Sequence, residues 1–118
     1  MNRPRVALKR IYEPAEAGDG LRILVDRIWP RGIAKAEAKL DDWCRDIAPS
    51  TELRHWFGHE VERWEGFRQR YEAELKENHA AAEALRAQLH GRHATLLYAA
   101  KDEEHNNAVV LREFLRRH

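Results

Sequence analysis

The sequence predicts an α/β fold: a small, three-layer-like domain in which a short, mostly parallel sheet of about three strands is flanked by about four or five helices. Three observations support this prediction. Short aliphatic runs at residues 21–26 and 94–100 fit buried strands, and the residues between them place apolar side chains at helical spacing. With 118 residues, the chain can bury one core but not two, so we expect a single domain over residues 1–118.

The first two strands lie early in the chain. We expect the first over about residues 5–11 and the second over residues 21–26. Between them, residues 12–20 hold one proline and paired glycines, which predicts a turn-rich connection. A nine-residue link is more typical of a long hairpin than of a parallel crossover, so the direction of the first strand stays open.

Helical segments follow the second strand. A helix is predicted from about Lys35 until Pro49 stops it, and Ser50 caps a short helix that Gly58 ends. A longer helix and then another continue to Gly91. The apolar positions that define these helices are, in chain order, Leu40, Trp43, Cys44, Ile47, Leu53, Trp56, Phe57, Val61, Trp64, Phe67, Tyr71, Leu75, Ala81, Leu85 and Leu89.

The C-terminal part combines a strand and a helix. Residues 94–100 are apolar on both faces, which predicts a strand in the middle of the sheet. Residues 101–105 open a last helix, since their acidic side chains suit the positive end of the helix dipole and the basic residues 116–118 suit the other end. The side chains expected to dock it are Val109, Val110, Phe114 and Leu115.

Composition limits the classes of partner. Lys and Arg number 21 against 20 Asp and Glu, and the net charge of +1 argues against long nucleic-acid contacts while leaving a local basic patch open. One cysteine fits a reducing compartment, and without a long apolar run or an apolar leader we expect a cytoplasmic protein and no membrane contact. Four tryptophans leave enough aromatic surface for a homodimer contact.

Two polar clusters follow two of the predicted strands. Residues 26–31 follow the second strand, and residues 101–107 follow the last one. Strands that helices separate are usually parallel, and parallel neighbours end at the same edge of a sheet. We therefore expect both clusters to meet in a polar pocket at the carboxyl ends of the strands, where α/β sheets usually bind ligands.

The first cluster is suited to an anion. Arg27 and Arg31 carry guanidinium forks that match phosphate or carboxylate, Asp26 ends the strand, and Trp29 could stack on a base or a sugar. The alternative is structural. In that case Asp26 and Arg27 form an internal ion pair that pins the strand end to the last helix, with Asp102 or Glu104 as further partners, and Trp29 seals the edge of the core.

The second cluster is suited to proton transfer. His105 is a candidate general acid or base that Asp102 could orient, and Asn106 is a candidate hydrogen-bonding ligand. The alternative is that His105 is an exposed or capping residue at the start of the helix. Residues 50–59 could form a wall over the strand ends, which makes Arg54 and His59 further candidates for ligand binding.

Other site chemistries lack sequence support. The candidate metal ligands, Asp26, His59, Asp102, Glu104 and His105, follow no ligand spacing, so we predict no metal site. The sequence leaves the cofactor unknown. Neither a Gly-x-Ser-x-Gly elbow nor a Gly-rich phosphate loop is present in the sequence. Cys44 lies beside Trp43 with acidic residues nearby, which would raise the pKa of its thiol, so we assign it to packing.

Long motifs identify a family resemblance. The chain resembles the bacterial YeaO-like proteins, a branch of domain-of-unknown-function family 488, through residues 26–32, 48–54, 56–59 and 96–108. The resemblance covers nearly the whole chain, implies a compact α/β domain, and assigns no activity. More distant members carry a Val-Asp-Val-Arg strand end and a Cys-His-Arg turn. Asp26 and Arg27 match the first pattern, whereas His105 and Asn106 lack the cysteine and arginine of the second.

The expected function is binding, with turnover as an open extension, of a small anionic or nucleotide-like ligand at the strand ends. The alternative is a non-enzymatic protein- or nucleic-acid-interaction module, in which the Asp-Arg-x-Trp-Pro-Arg block is structural. Salt dependence separates the two, because a nucleic-acid binder weakens steeply as salt rises.

Overall fold

The sheet of the computed structural model, which describes residues 5–117, has four parallel strands in the order β1-β4-β2-β3. Its elements are β1 (Val6–Arg10), β2 (Leu21–Leu24), α1 (Lys35–Ala38), β3 (Asp42–Trp43), α2 (Thr51–Phe57), α3 (Trp64–Glu77), α4 (His79–Leu89), β4 (Ala94–Tyr98) and α5 (Asn107–Arg117). The predicted α/β class with a parallel sheet and flanking helices is confirmed.

β4 is the central strand, as its apolar character on both faces predicted. All five of its residues are buried, and it pairs in parallel with β1 on one side and with β2 on the other. Leu96 lies opposite Leu8 of β1 and Ile23 of β2. The direction of the first strand, which the sequence left open, is therefore parallel.

The short link between β1 and β2 crosses over because a cluster of charged side chains holds it. Asp19, which is buried, accepts hydrogen bonds from Lys9 of β1 and from Arg22 of β2. Thr95 of β4 donates to the backbone oxygen of the same aspartate. These contacts fix a ten-residue link, residues 11–20, that its length alone would assign to a hairpin.

The helix predicted from Lys35 to Pro49 is wrong over most of its length. Only Lys35–Ala38 are α-helical, Arg45–Ile47 form a 3-10 turn, and Lys39 adopts a left-handed conformation with φ of 48°. The next residues pair with the free edge of β2 as β3, where the backbone N–H of Cys44 donates to the carbonyl oxygen of Leu24. A free strand edge thus overrides the helical spacing of the apolar residues.

The helices α2 to α5 cover one face of the sheet and enclose the main core, which includes Ile23, Phe67, Tyr71 and Leu96. The Oγ of Ser50 accepts from the backbone N–H of Leu53, so the predicted cap of α2 is confirmed. Val61 is 54% exposed and lies in a 3-10 turn before α3, so its assignment to the apolar helix face is wrong.

A smaller core lies on the other face of the sheet. It contains Ile11, Leu24, Ala38 and Leu97, with Trp29 and Trp43 packed against it. β2 and β4 alternate their side chains between the two cores, so both strands are packed on both faces up to the ends that carry the polar clusters. Across residues 5–117, none of the helices combines the length and the apolarity that a membrane crossing requires.

Candidate functional site

A cavity of about 730 Å³ lies at the edge of the sheet where β2 and β4 end. The two polar clusters meet there, at residues 26–31 and 101–107, and residues 54–59 of α2 and its exit form a further wall. All nine side chains that the sequence singled out line this cavity: Asp26, Arg27, Trp29, Arg31, Arg54, His59, Asp102, His105 and Asn106. Their roles in a function are a separate question, which depends on what each side chain already contacts.

Asp26 ties the end of β2 to the neighbouring elements. Its carboxylate accepts a hydrogen bond from the backbone N–H of Ala99 at 2.9 Å and one from the Nδ2 of Asn107 at 3.1 Å. Burial raises the pKa of Asp26, against the opposing effects of these hydrogen bonds and of the charges on Arg54 and His59.

The ion pair between Asp26 and Arg27, which the structural alternative required, is absent from the ion pairs of residues 5–117. Asn107 of α5 pins the strand end to the last helix in its place.

Arg27 is committed to the backbone. Its Nε donates to the carbonyl oxygen of Pro49 at 3.2 Å, and its Nη2 donates to the carbonyl oxygen of Ala48 at 3.0 Å. Both acceptors lie in the buried segment that leads into α2. These bonds hold the wall formed by α2 against the end of β2, so the main contacts of Arg27 are structural.

Arg54 has the opposite character. Its Nη1 is buried and has no hydrogen-bond partner within residues 5–117, although the side chain lines the cavity. A buried donor without an acceptor costs about 1–3 kcal/mol. The nearby Asp26 carboxyl interacts with it electrostatically, but burial disfavours the charged form of that carboxyl. Arg54 is therefore the cation of the cavity with the greatest unmet demand for an anion.

The ring of Trp29 is held by packing and by a hydrogen bond, so it forms part of the cavity wall. Its Nε1 donates to the carbonyl oxygen of Ile33 at 2.7 Å, and its ring packs edge-on against Trp43 with centroids 5.3 Å apart. The half-buried indole is also part of the smaller core. This packing agrees with the alternative in which the residue seals the edge of the core.

Asp102 organises the loop after β4. Its Oδ1 accepts from the backbone N–H groups of Glu104 and His105, and its Oδ2 lies 2.9 Å from the Nδ1 of His105. The backbone hydrogen bond from Glu104 and the side chain of His105 lower the pKa of Asp102. The Nε2 of His105 has no partner within residues 5–117, while the ring meets Trp64 edge-on at 5.1 Å. This is the geometry of an oriented histidine that borders a cavity.

The prediction that residues 101–105 form the first helical turn is wrong. α5 begins at Asn107, because the turn around Asp102 consumes the preceding backbone N–H groups. Asn106 is 3% exposed, and its Oδ1 accepts from the backbone N–H of Val109. It therefore caps the helix, and its Nδ2 donates to the carbonyl oxygen of Asp102.

The cavity concentrates positive charge. Four basic side chains line it against two acidic ones, an excess of two charges on a chain whose net charge is +1. Arg31 and Lys101 are exposed, and their side chains form no ion pair with the other residues of the range 5–117. The local basic patch that the overall balance left open therefore lies at the ends of the strands.

Sequence reasoning missed further lining residues. Tyr12 lies in the connection that looked like a simple turn, and its hydroxyl donates to the carbonyl oxygen of Arg31 at 2.9 Å. Asn107 lay inside the predicted cluster, and its spacing after the last strand was a usable signal. Phe57 and Phe67 line the cavity as well as the core, which no local pattern indicates.

A second kind of site chemistry would depend on the candidate metal ligands or on the Cys44 thiol. Within residues 5–117, no group of three or more His, Cys, Asp or Glu side chains is placed to hold a metal ion. The Sγ of Cys44 lies 3.2 Å from the Oδ2 of Asp42. Burial, with that carboxylate and Asp46, raises the pKa of the Cys44 thiol to about 12. The expected direction of this pKa shift is confirmed, and the thiol packs against the main core.

Comparisons with known proteins agree with the motifs. Residues 5–118 match a family described as the inactive DUF488-N3 subclade. The chain is 47% identical over 111 residues to the uncharacterized protein YeaO of Escherichia coli K12, covering 94% of this chain and 96% of that protein. It is 43% identical over 112 residues to the uncharacterized protein Rv3073c of Mycobacterium tuberculosis H37Rv, covering 94% and 93%. No solved structure matches. The chain belongs to domain-of-unknown-function family 488, as a YeaO-like member.

Proposed function

We propose that this protein binds a small anionic ligand in the cavity at the carboxyl ends of β2 and β4, with Arg54 as the main anion-binding residue. The observation that carries the proposal is the buried, unpartnered Nη1 of Arg54 in a cavity with excess positive charge. A phosphate or carboxylate oxygen would accept this orphaned hydrogen bond and neutralise the charge. The cavity volume of about 730 Å³ lies within the range typical of small-molecule sites.

The different contacts of the arginines in the cavity support the proposal. Arg27 is held by two carbonyl oxygens, so it stiffens the site, whereas the guanidinium of Arg54 has no such bonds. Arg31 and Lys101 lie exposed at the mouth, where they would attract an approaching anion without holding it tightly. The binding function therefore depends on Arg54 first and on the mouth residues second.

Turnover is a second candidate, favoured by one observation. The Asp102 carboxylate orients the Nδ1 of His105, and the unpartnered Nε2 could exchange a proton with a bound ligand. The description of the matched subclade as inactive favours binding alone. We therefore propose binding as the function and treat proton transfer by His105 as an extension of it.

The alternative interaction module draws support from the same arginine geometry. Arg27 and Trp29 make structural contacts, so that part of the Asp-Arg-x-Trp-Pro-Arg block needs no partner to explain it. The interaction-module alternative leaves the unpartnered donor of Arg54 unexplained, so we prefer binding of a small ligand. The single cysteine supports the proposal that the protein works in the cytoplasm, and the length of 118 residues supports the proposal of one domain.

Thermal stability in the presence of simple anions tests the proposal. The wild type, Arg54→Met and the control Arg92→Met are melted with inorganic phosphate, pyrophosphate or citrate, and with sodium chloride at matched ionic strength. Arg92 is an exposed arginine outside the cavity. A ligand at 100 times its Kd adds about 2.7 kcal/mol to the free energy of unfolding of the native protein.

We expect at least one of these anions to raise the Tm of the wild type and of Arg92→Met, and to leave the Tm of Arg54→Met unchanged. An equal rise in all three proteins, or no rise in any, would overturn the assignment of Arg54. A response that matches sodium chloride would reduce the effect to general screening.

A further inference from the structure

The mouth of the cavity carries exposed apolar surface as well as charge. Within residues 5–117, three large hydrophobic side chains are exposed, and two of them, Tyr12 at 41% and Ile28 at 58%, line the cavity. The third, Val61, lies outside it. Exposed apolar side chains that gather around a polar cavity mark a binding surface, whereas a scattered one needs no explanation.

The ring of Tyr12 is held in a fixed orientation. Its hydroxyl donates to the carbonyl oxygen of Arg31 at 2.9 Å, and the guanidinium carbon of Arg10 lies 5.0 Å from the ring centroid. Arg10 is itself fixed, because it donates to the carbonyl oxygens of Ala99 and Ala100. A ring that is already ordered loses little conformational entropy when a ligand packs on it.

The ring of Tyr12 is exposed and has one cationic neighbour. The guanidinium of Arg10 lies over the ring, Tyr12 is 41% exposed, and no other ring or cation contact to it occurs within residues 5–117. The indole of Trp29, by contrast, is packed against Trp43 and hydrogen-bonded to the chain. Of these two aromatic residues, Tyr12 is therefore the more exposed one and the better candidate for stacking on a planar group.

We propose that Tyr12 stacks on a planar heteroaromatic ring of the ligand, which makes the ligand class a mononucleotide. This inference rests on the proposed function, since it assigns the anionic group to Arg54 and adds the ring at the mouth beside Tyr12 and Ile28. Arg54 and Tyr12 line the same cavity, so one ligand could contact both the unpartnered guanidinium and the exposed ring. A bare phosphate or a sugar phosphate would use only the first of these features.

Titration calorimetry with matched probes tests the assignment. The probes are adenosine 5′-monophosphate, ribose 5-phosphate and inorganic phosphate, and the proteins are the wild type, Tyr12→Leu, Tyr12→Phe and Arg54→Met. Tyr12→Phe keeps the ring and loses the hydrogen bond to Arg31, whereas Tyr12→Leu keeps apolar bulk and loses the ring. Thermal unfolding of each variant confirms that it folds.

We expect the mononucleotide to bind the wild type about 5–150-fold more tightly than ribose 5-phosphate, which is the range measured for one base stacked on one aromatic ring. Tyr12→Leu should abolish this preference and leave ribose 5-phosphate unaffected, and Tyr12→Phe should retain most of it. Equal affinities of the two probes for the wild type, or an equal loss of both in Tyr12→Leu, would overturn the inference.

Failure of the proposed function gives a different pattern. In that case none of the three probes binds the wild type, or Arg54→Met binds them as the wild type does. A fourth probe, a 5′-phosphorylated oligonucleotide, covers a macromolecular ligand. Affinity that rises with its length and falls steeply with salt would overturn the mononucleotide class in favour of nucleic acid.

Discussion

Removing the guanidinium of Arg27 should destabilise the protein without removing anion binding. Two carbonyl oxygens, of Ala48 and Pro49, accept its hydrogen bonds at 3.0 and 3.2 Å. Within residues 5–117, no other group donates to either oxygen. In Arg27→Ala, both acceptors lose their partner at the point where the chain enters α2.

The magnitude follows from these two bonds. Each hydrogen bond is worth about 1–1.5 kcal/mol, because the guanidinium is charged but only half-buried, so the free energy of unfolding should fall by about 2–3 kcal/mol. For a chain of 118 residues, the entropy of unfolding is about 0.25 kcal/mol/K. The expected drop in Tm is therefore about 8–12 °C.

Urea unfolding followed by tryptophan fluorescence measures this change, and Arg27→Lys is the matched variant. Lysine keeps the charge but has no planar fork, so it should recover at most about half of the lost stability. A loss below about 0.5 kcal/mol in Arg27→Ala would refute the structural role. Loss of the phosphate-induced rise in Tm, with stability intact, would show instead that the residue holds the anion directly.

Four other changes have defined outcomes. Arg54→Met should leave the free energy of unfolding unchanged or raise it, because it removes a buried donor that has no partner. Gly66→Ala should lower the Tm, since a Cβ there would lie 2.7 Å from the ring of Trp56, and should raise it in a Trp56→Phe background, where helix propensity gains about 1 kcal/mol. Asp102→Asn keeps the backbone cap but loses the charge. It should cost less than about 1 kcal/mol at pH 7, because this carboxylate is 38% exposed, and nothing once the pH falls below its lowered pKa. Cys44 should resist alkylation at pH 8 until urea unfolds the chain, because its pKa is about 12.

A specific result would contradict each of these four predictions. A destabilised Arg54→Met, in urea titrations, would mean that the arginine is satisfied in the free protein. Additive effects of the Gly66 and Trp56 changes would exclude their contact. A cost of Asp102→Asn that persists once the pH lies below the lowered pKa of Asp102 would contradict the prediction, since a lowered carboxyl pKa stabilises the fold only at pH values above it. Rapid alkylation of native Cys44 would contradict its burial.

The α/β class and the position of the cavity were predictable from the sequence. Aliphatic runs at residues 21–26 and 94–100 indicated two central strands, and helices between them implied that both end at one edge. Because residues 26–31 and 101–107 follow those strands directly, the meeting of the two clusters followed from topology. The confirmed family resemblance agrees with this arrangement.

The errors arose where distant partners decide local structure. Leu40, Trp43 and Ile47 have helical spacing, yet the open edge of β2 draws the segment into β3 and a 3-10 turn. The start of α5 was misplaced because the backbone N–H groups of Glu104 and His105 donate to the side chain of Asp102, which forms a turn before the helix begins. Helix propensity and the helix dipole depend on local sequence alone, so they indicate neither the open strand edge nor the side-chain acceptor.

The relative importance of the site residues was also beyond the sequence. Arg27 looked like the anion ligand from its motif, whereas its partners are carbonyl oxygens 21 and 22 residues away in the chain. Arg54 looked secondary, because its burial without a partner appears only when α2 lies beside the ends of the strands. Tyr12 was hidden in a turn, since its role depends on Arg10 and Arg31.

Binding of a small anion beside Arg54 is tested most directly by following backbone amide shifts in a ¹⁵N-labelled protein during titration with inorganic phosphate at constant ionic strength. We predict saturable shifts confined to the amides of residues 26–31, 54–59 and 101–107, and their loss in Arg54→Met. Shifts that stay absent in the wild type, or that appear on α4 and the far side of the sheet, would contradict anion binding at this site.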